Sequence, residues 1–346
     1  MEKFFVFLFT FLCLFLSAIS AYACDFCLLS QGISPLETVR GGGIRINTRY
    51  TLSDRVFHGT DEIHNPGATS KIWTTEFSGF YSLTDTLTVM AVVPFKKIEM
   101  DGHVHGQDHE DHDHHDHVVA SGHDEEPPGG DHGKEGNVPD IIGDEAGLGD
   151  ISLILRYTFF KRHTLDTTTT IAGVFGVKFP TGDTDAKTDD GNQYLEADMQ
   201  LGTGSTDILA GMSLNHAMGR TSLSANLLAA FMTKGETGDK DHEFGDMLNY
   251  DITGKYRLYP GQPSPVGSQF FIALGINGEL MDHEEIENAE VTDSGGHIVY
   301  LSPGLQMIFA PHWIIEMTYQ HPIYQNLYGT QSGQDFKVSG GATYLF

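Results

Sequence analysis

From residue 44 to the last residue the chain alternates apolar and polar positions in a series of separate runs. In the last run Phe336, Val338, Gly340, Ala342, Tyr344 and Phe346 fall on one face of an extended strand, and Asp335, Lys337, Ser339, Gly341 and Thr343 fall on the other. Successive side chains of a strand point to opposite faces, so period two means one apolar face and one polar face. Ile44, Ile46, Thr48, Tyr50 and Leu52 alternate in the same way with Arg45, Asn47, Arg49 and Thr51. The pattern returns at 73–83, 87–95, 151–159, 171–179, 208–215, 222–231, 248–258, 270–276, 305–309 and 313–320, which predicts about twelve strands.

The connections between these runs alternate in length. Short ones lie near 84–85, 161–163, 218–219, 259–265 and 310–311. Long ones cover about 54–69, 98–146, 181–202, 236–245, 283–294 and 326–334. Tight turns at one end and long polar loops at the other are the sidedness of an outer-membrane barrel. The expected fold is therefore all-β, a closed antiparallel transmembrane β-barrel over residues 41–346, with the tight turns and both ends of the barrel facing the periplasm. A soluble β-sandwich also alternates, but its strands average ~5–6 residues, shorter than these, and here Tyr, Phe and Trp gather toward the strand ends.

Composition adds four points. Hydrophobic content is 40% and mean hydropathy is -0.20, which excludes a polytopic helical membrane protein. The long apolar run, Phe4 to Ile19, follows Lys3 and ends in Ala21-Tyr22-Ala23; residues 1–23 are expected to be a signal peptide, the run being short of the ~20 residues of a retained anchor. The net charge of -27 argues against nucleic acid as a partner. Residues 24–40 read as a periplasmic segment carrying Cys24 and Cys27, which permit a local disulfide, lipidation of Cys24, or metal and redox work. No second Cys pair completes a closed zinc site, and Leu28 stands where covalent haem attachment wants His.

The acid is concentrated. Residues 101–145 hold fourteen Asp and Glu against Lys134 alone, and with them His103, His105, His109, His112, His114, His115, His117, His123 and His132. Asp111, Asp113 and Asp116 are interleaved with the histidines. Imidazole and carboxylate together suit Zn, Cu or Ni, so this long loop, expected outside the cell, reads as a low-complexity collector of divalent transition metal. The plainer reading is a solvated acidic coat. The barrel itself requires no cofactor.

By the alternation Arg45, Arg49, Lys96, Arg156, Lys178, Lys255, Arg257 and Lys337 point inward, as do Glu76, Asp207, Asp251, Glu279, Glu316 and Asp335. Such a set is either a selectivity field along a water-filled path or an ion-pair network that props a narrow barrel. No enzyme is expected: His297 and Ser302 have neither an acid partner nor an oxyanion donor, and Gly41-Gly42-Gly43 and Gly340-Gly341 precede no helix.

Several motifs carry a resemblance. Gly147-Leu148-Gly149-Asp150 opens a strand, Lys178-Phe179-Pro180-Thr181-Gly182 closes one, and Leu201-Gly202-Thr203-Gly204-Ser205 is followed by Asp207. With Ser302-Pro303-Gly304-Leu305-Gln306, they make residues 147–346 resemble the family of outer-membrane transporters named for the phenol meta-cleavage pathway. The resemblance implies a channel or transport role in the bacterial outer membrane and brings no catalytic residues. The His/Asp insertion departs from the family pattern. The expectation is a passive porin-like channel for small solutes with a metal-binding surface loop; the alternative is a metal-capturing or scaffold protein that meets periplasmic partners near Cys24 and Cys27. Its other expected partners are outer-membrane lipid and, through Phe346, the barrel-assembly machinery.

Overall fold

The computed structural model describes residues 41–101, 142–188, 191, 194–195, 197–261, 267–309 and 312–346. The expected signal peptide, Cys24, Cys27, the nine clustered histidines, and Asp111, Asp113 and Asp116 lie outside the described residues.

Twelve long strands form the wall: β1 Gly42–Ser53, β2 Thr69–Ser82, β3 Leu87–Asp101, β4 Ile151–His163, β5 Thr167–Phe179, β6 Asp207–Met218, β7 Thr221–Phe231, β8 Met247–Tyr259, β9 Gln269–Met281, β10 Gly296–Phe309, β11 Trp313–Gly333 and β12 Phe336–Leu345. Each pairs antiparallel with the next. β12 pairs with β1 from Gly43↔Leu345 to Leu52↔Phe336, and the ring closes. Closure leaves no open sheet edge, the condition for strands in hydrocarbon, where no water satisfies a free N–H or C=O. At the seam Gly43 lies against the Phe80 ring, where an added Cβ would come within 2.5 Å. Among the described residues no helix is long and apolar enough to cross a membrane.

The burial pattern is inverted relative to a soluble protein. Ile44, Phe77, Leu153, Phe175, Ile252 and Leu274 are exposed on the outer face, while Arg49, Thr51, Thr74, Lys178, Asp207, Gln320 and Lys337 are buried inside. Aromatic rings gather at both ends of the outer face. Tyr50 sits 4.9 Å from Trp73 and 5.8 Å from Phe336 toward the long-loop end. Trp313 sits 5.0 Å from Tyr344 at the tight-turn end. Rings with one apolar and one polar side settle at the two membrane–water boundaries. The protein is a barrel of the bacterial outer membrane.

The long-loop end is more ordered than the sequence suggests. The expected loop 54–69 contains the strands Arg55–Gly59 and Asp61–Ile63. The expected loop 326–334 is largely the continuation of β11, which pairs with Arg55–Gly59. The expected loops 236–245 and 283–294 supply Gly235–Thr237, Lys240–Glu243, Glu284–Ile286 and Ala289–Val291, which form one four-stranded sheet. The strand Ile142–Leu148 extends the wall beside β3. For Arg55–Gly59 and the end of β11 the physical reason is burial: Phe57 and Leu327 pack with Ile298 and Tyr300, and covered backbone needs hydrogen-bond partners.

Candidate functional site

The barrel interior is the candidate site, and its best-connected part joins the three sequence motifs. Asp150, at the start of β4, is fully buried. Its Oδ1 accepts the backbone N–H groups of Thr181 (3.0 Å) and Gly182 (2.9 Å). Its Oδ2 accepts the N–H and hydroxyl of Thr203, both at 2.9 Å. Lys178 Nζ lies 2.5 Å from Asp207 Oδ2, 3.6 Å from Asp150 Oδ2 and 2.8 Å from Thr203 Oγ1. Ser205 Oγ donates to Asp207 Oδ1 at 2.7 Å, and so does the N–H of Thr233 at 3.0 Å. Gly182 and Gly202 pass so closely that a Cβ on Gly182 would stand 2.6 Å from the Gly202 backbone. Thus the loop roots of β4, β5, β6 and β7 are tied by one carboxylate–ammonium cluster. Lys178 faces both carboxylates, and backbone N–H and hydroxyl donors support the remaining negative charge, the arrangement that makes a buried ionic group tolerable.

The other inward charges are placed as follows. Glu279 accepts from Lys337 Nζ at 2.6 Å and from Tyr300 Oη at 3.2 Å, with the ammonium 4.5 Å above the Tyr300 ring. Arg45 and Glu316 form a half-buried ion pair. Arg49, Glu76 and Lys96 are buried in β1, β2 and β3. Arg156 donates to Thr158 Oγ1 at 3.1 Å. Arg257 donates to the Gly219 carbonyl at 3.1 Å, near a tight turn. Asp335 lies in the turn between β11 and β12, where it accepts the Asp54 N–H at 2.6 Å and pairs with Arg55 at 3.0 Å. Burial, the largest influence, raises its carboxyl pKa against the pull of these donors. Arg45, Asp251, Lys255 and Glu316 border a polar cavity of about 60 Å³ together with Asn47, Asn226, Asn277, Ser302, Gln306 and Ser339.

A second interior feature escaped the sequence reading. Met90 pairs with Ile154, Ile154 with Gly176, Gly176 with Leu209, Leu209 with Ala230, Ala230 with Met247, and Met247 with Met281. This is one cross-strand row over seven adjacent strands, β3 to β9, without a polar side chain. Val92, Val174 and Leu228 widen it, and Met232 and Phe244 extend it at the long-loop end. Alternation places these residues on the inner face. The available signal was the pairing of apolar neighbours: Ile208-Leu209, Leu227-Leu228 and the run Leu153-Ile154-Leu155 are apolar on both faces at once.

The connection between β5 and β6 is also more than a polar loop. Met199 and Leu201 are fully buried; Leu201 packs with inward-facing Ile72 and Ile98, and Met199 with Met100, Ala186 and Leu195. The side chain of Gln200 closes the loop on itself, accepting from Ala186 N (2.9 Å) and donating to the carbonyls of Ala186 (3.1 Å) and Leu195 (2.8 Å). The loop therefore leans across the inner wall of β2 and β3 and narrows that mouth.

Two other expectations concern chemistry. Among the described residues no cluster of His, Cys, Asp or Glu is arranged to hold a metal ion. His297 meets Tyr250 Oη at 2.9 Å on the outer face, whereas Ser302 pairs with Asn277 on the inner face. The wall separates them.

The family model described as "Putative MetA-pathway of phenol degradation" matches residues 59–333. Among solved structures, the COG4313 outer membrane channel from Pseudomonas putida F1 superposes with a TM-score of 0.61 at 13% identity, over 89% of this chain and 96% of that one. The transport unit of the autotransporter AIDA-I from Escherichia coli gives a TM-score of 0.47 at 8% identity, over 92% and 96%. The CymD monoaromatic hydrocarbon channel gives 0.40 at 10% identity, over 95% of each chain. No curated protein sequence matches.

Proposed function

Since the chain belongs to the family described for the MetA pathway of phenol degradation, we propose that this outer-membrane barrel is a passive channel for small solutes. The observation that carries the reading is the polar cavity enclosed by the wall, bordered by Arg45, Asn226, Asp251, Asn277, Ser302 and Glu316. Fixed polar groups on the inner face offer a permeating solute hydrogen bonds in exchange for part of its hydration shell, which lowers the cost of entry. The lipid-facing side chains only hold the wall in place. Solute enters past the inward-leaning loop between β5 and β6, so the packing of Leu201 on Ile72 and Ile98 sets the width of the path. The test is a planar-bilayer recording of the purified, folded protein: stepwise ion conductance is the expected result, and a folded barrel that passes no current overturns the proposal.

A second reading concerns residues 101–145. Their nine histidines and fourteen carboxylates support binding of Zn, Cu or Ni as a task separate from permeation. Loss of metal binding by titration calorimetry on deletion of 102–141, with conductance kept, is the expected outcome. Unchanged metal binding leaves that segment only a hydrophilic coat. Affinity should also fall as the histidines protonate near their ordinary pKa of ~6.5.

A further inference from the structure

Several polar side chains around the interior cavity satisfy one another. Ser302 donates to Asn277, Gln306 donates to Glu316 at 3.3 Å, and Glu316 pairs with Arg45. Asn226 and Asp251, directly opposite each other on β7 and β8, share a side-chain hydrogen bond. Four buried atoms on the cavity border have no hydrogen-bond partner among the described residues: Asn226 Oδ1, Asp251 Oδ2, Arg45 Nε and Asn47 Nδ2. Asn47, Asn226 and Asp251 are each nine-tenths buried or more. The two acceptors stand on β7 and β8. The two donors stand on the inner face of β1, which lies across the lumen from them in the closed ring of twelve strands. We propose that this cavity is a binding site for a small zwitterion of the α-amino acid class, its ammonium group at Asp251 and Asn226 and its carboxylate at Arg45 and Asn47. This rests on the channel reading and names a solute class for it.

Polarity, charge and size select the class. A buried donor or acceptor without a partner carries a desolvation cost, which a ligand of matching polarity removes. An ammonium group only donates and a carboxylate only accepts, so the two ends of an amino acid match the two walls in one orientation. A solute with hydroxyls alone matches either wall, but it gives up the charge-assisted strength that the Asp251 carboxylate and the Arg45 guanidinium offer to an ionised group. A net ion is disfavoured for a different reason. Arg45 and Lys255 oppose Asp251 and Glu316 on the cavity border, so the charges there cancel. An ion of either sign would lose hydration without finding a surplus of opposite charge, whereas a zwitterion brings no net charge. The cavity measures about 60 Å³, against the ~10–15 Å³ that one water needs. It therefore takes several waters or one short amino acid.

The experiment is block of single-channel current by alanine, propionate and ethylammonium. Propionate lacks the ammonium group of alanine, and ethylammonium lacks its carboxylate. Alanine is expected to reduce the wild-type current at the lowest concentration. Asp251→Asn keeps the shape and removes the charge; it should raise the half-blocking concentration of alanine about tenfold, the loss expected of one hydrogen bond to a charged group. Asn47→Ala, on the other wall, should raise it severalfold, and it decides alone if Asp251→Asn does not fold. Absence of block by alanine, equal block by propionate or ethylammonium, or an alanine value unmoved in either folded variant overturns the proposal. A folded wild type that passes no current defeats the channel reading instead. In that case saturation-transfer NMR of the alanine methyl group on the detergent-solubilised protein judges the site: a signal that weakens in the variants supports it, and no signal, or one the variants leave unchanged, sinks it.

Discussion

Two arcs of one wall face the same interior and are built differently. On β3 to β7 the inner face carries, at one level, a packed belt of Val92, Ile154, Val174, Leu209 and Leu228, with polar residues such as Ser152, Arg156, Ser213 and Asn226 above and below it. On β8 to β12 and β1 it carries Asn249, Asp251, Asn277, Ser302, Gln306, Ser339 and Asn47. The outer face shows no such division, for Leu153, Phe175, Leu227, Ile252, Leu274 and Ile315 are exposed and apolar all round. The contrast separates two constraints. Hydrocarbon outside penalises every polar group, so the outer face has one solution. The inside of a twelve-stranded barrel accepts either packed apolar side chains or satisfied polar ones, so its composition is free to follow function.

If the arcs differ as described, substitutions should rank accordingly. The largest effect belongs to the carboxylate–ammonium cluster at the loop roots of β4 to β7. Asp150→Ala leaves the N–H groups of Thr181, Gly182 and Thr203 without their acceptor and removes one of the two carboxylates near Lys178. It should cost about 3–5 kcal/mol, seen as a lower urea midpoint for loss of the heat-modifiable folded form. Leu209→Ala, in the apolar arc, should cost about 2–4 kcal/mol by the same measurement. Ser302→Ala, in the polar arc beside Asn277, should cost about 1 kcal/mol or less. Equal losses for Leu209 and Ser302 would erase the distinction between the arcs.

Two further measurements sharpen the comparison. Deleting 184–199 removes Ala186, Leu195 and Met199, which hold the loop against Met100 of the β3 wall; single-channel conductance should rise several-fold, and no change would mean that the loop does not narrow the path. The smallest effect concerns Asp335. Its carboxyl pKa is raised mainly by burial, so the folded state holds the proton more tightly than the unfolded chain, whose Asp titrates near ~3.9. Stability therefore falls slightly as pH rises from that value through the raised one. Asp335→Asn should flatten this part of the urea-midpoint profile, and an unaltered slope would remove Asp335 from the account.

Legibility in the sequence followed the strength of the constraint. All twelve strand positions are visible as alternation because one face of each meets lipid, as in Ile44, Ile46 and Tyr50 against Arg45, Asn47 and Arg49. The motifs around Asp150, Lys178 and Thr203 are visible as short strings, but their meeting point is not, since they lie up to 53 residues apart along the chain. The apolar row is not visible as a row at all. Each strand contributes one member, and only the register of seven strands aligns Met90, Ile154, Leu209 and Met247.

The sequence by itself determined the strand number, the face of each strand that touches lipid, and the end of the barrel that carries the long connections. These are local consequences of period two and of turn length, read within one segment at a time. Tertiary structure decided which inward residues become neighbours: Asp150 with Thr203, Glu279 with Lys337, Leu201 with Ile72, and the row from Met90 to Met281. Strand tilt and cross-strand register bring distant segments to one height, and no single segment encodes either.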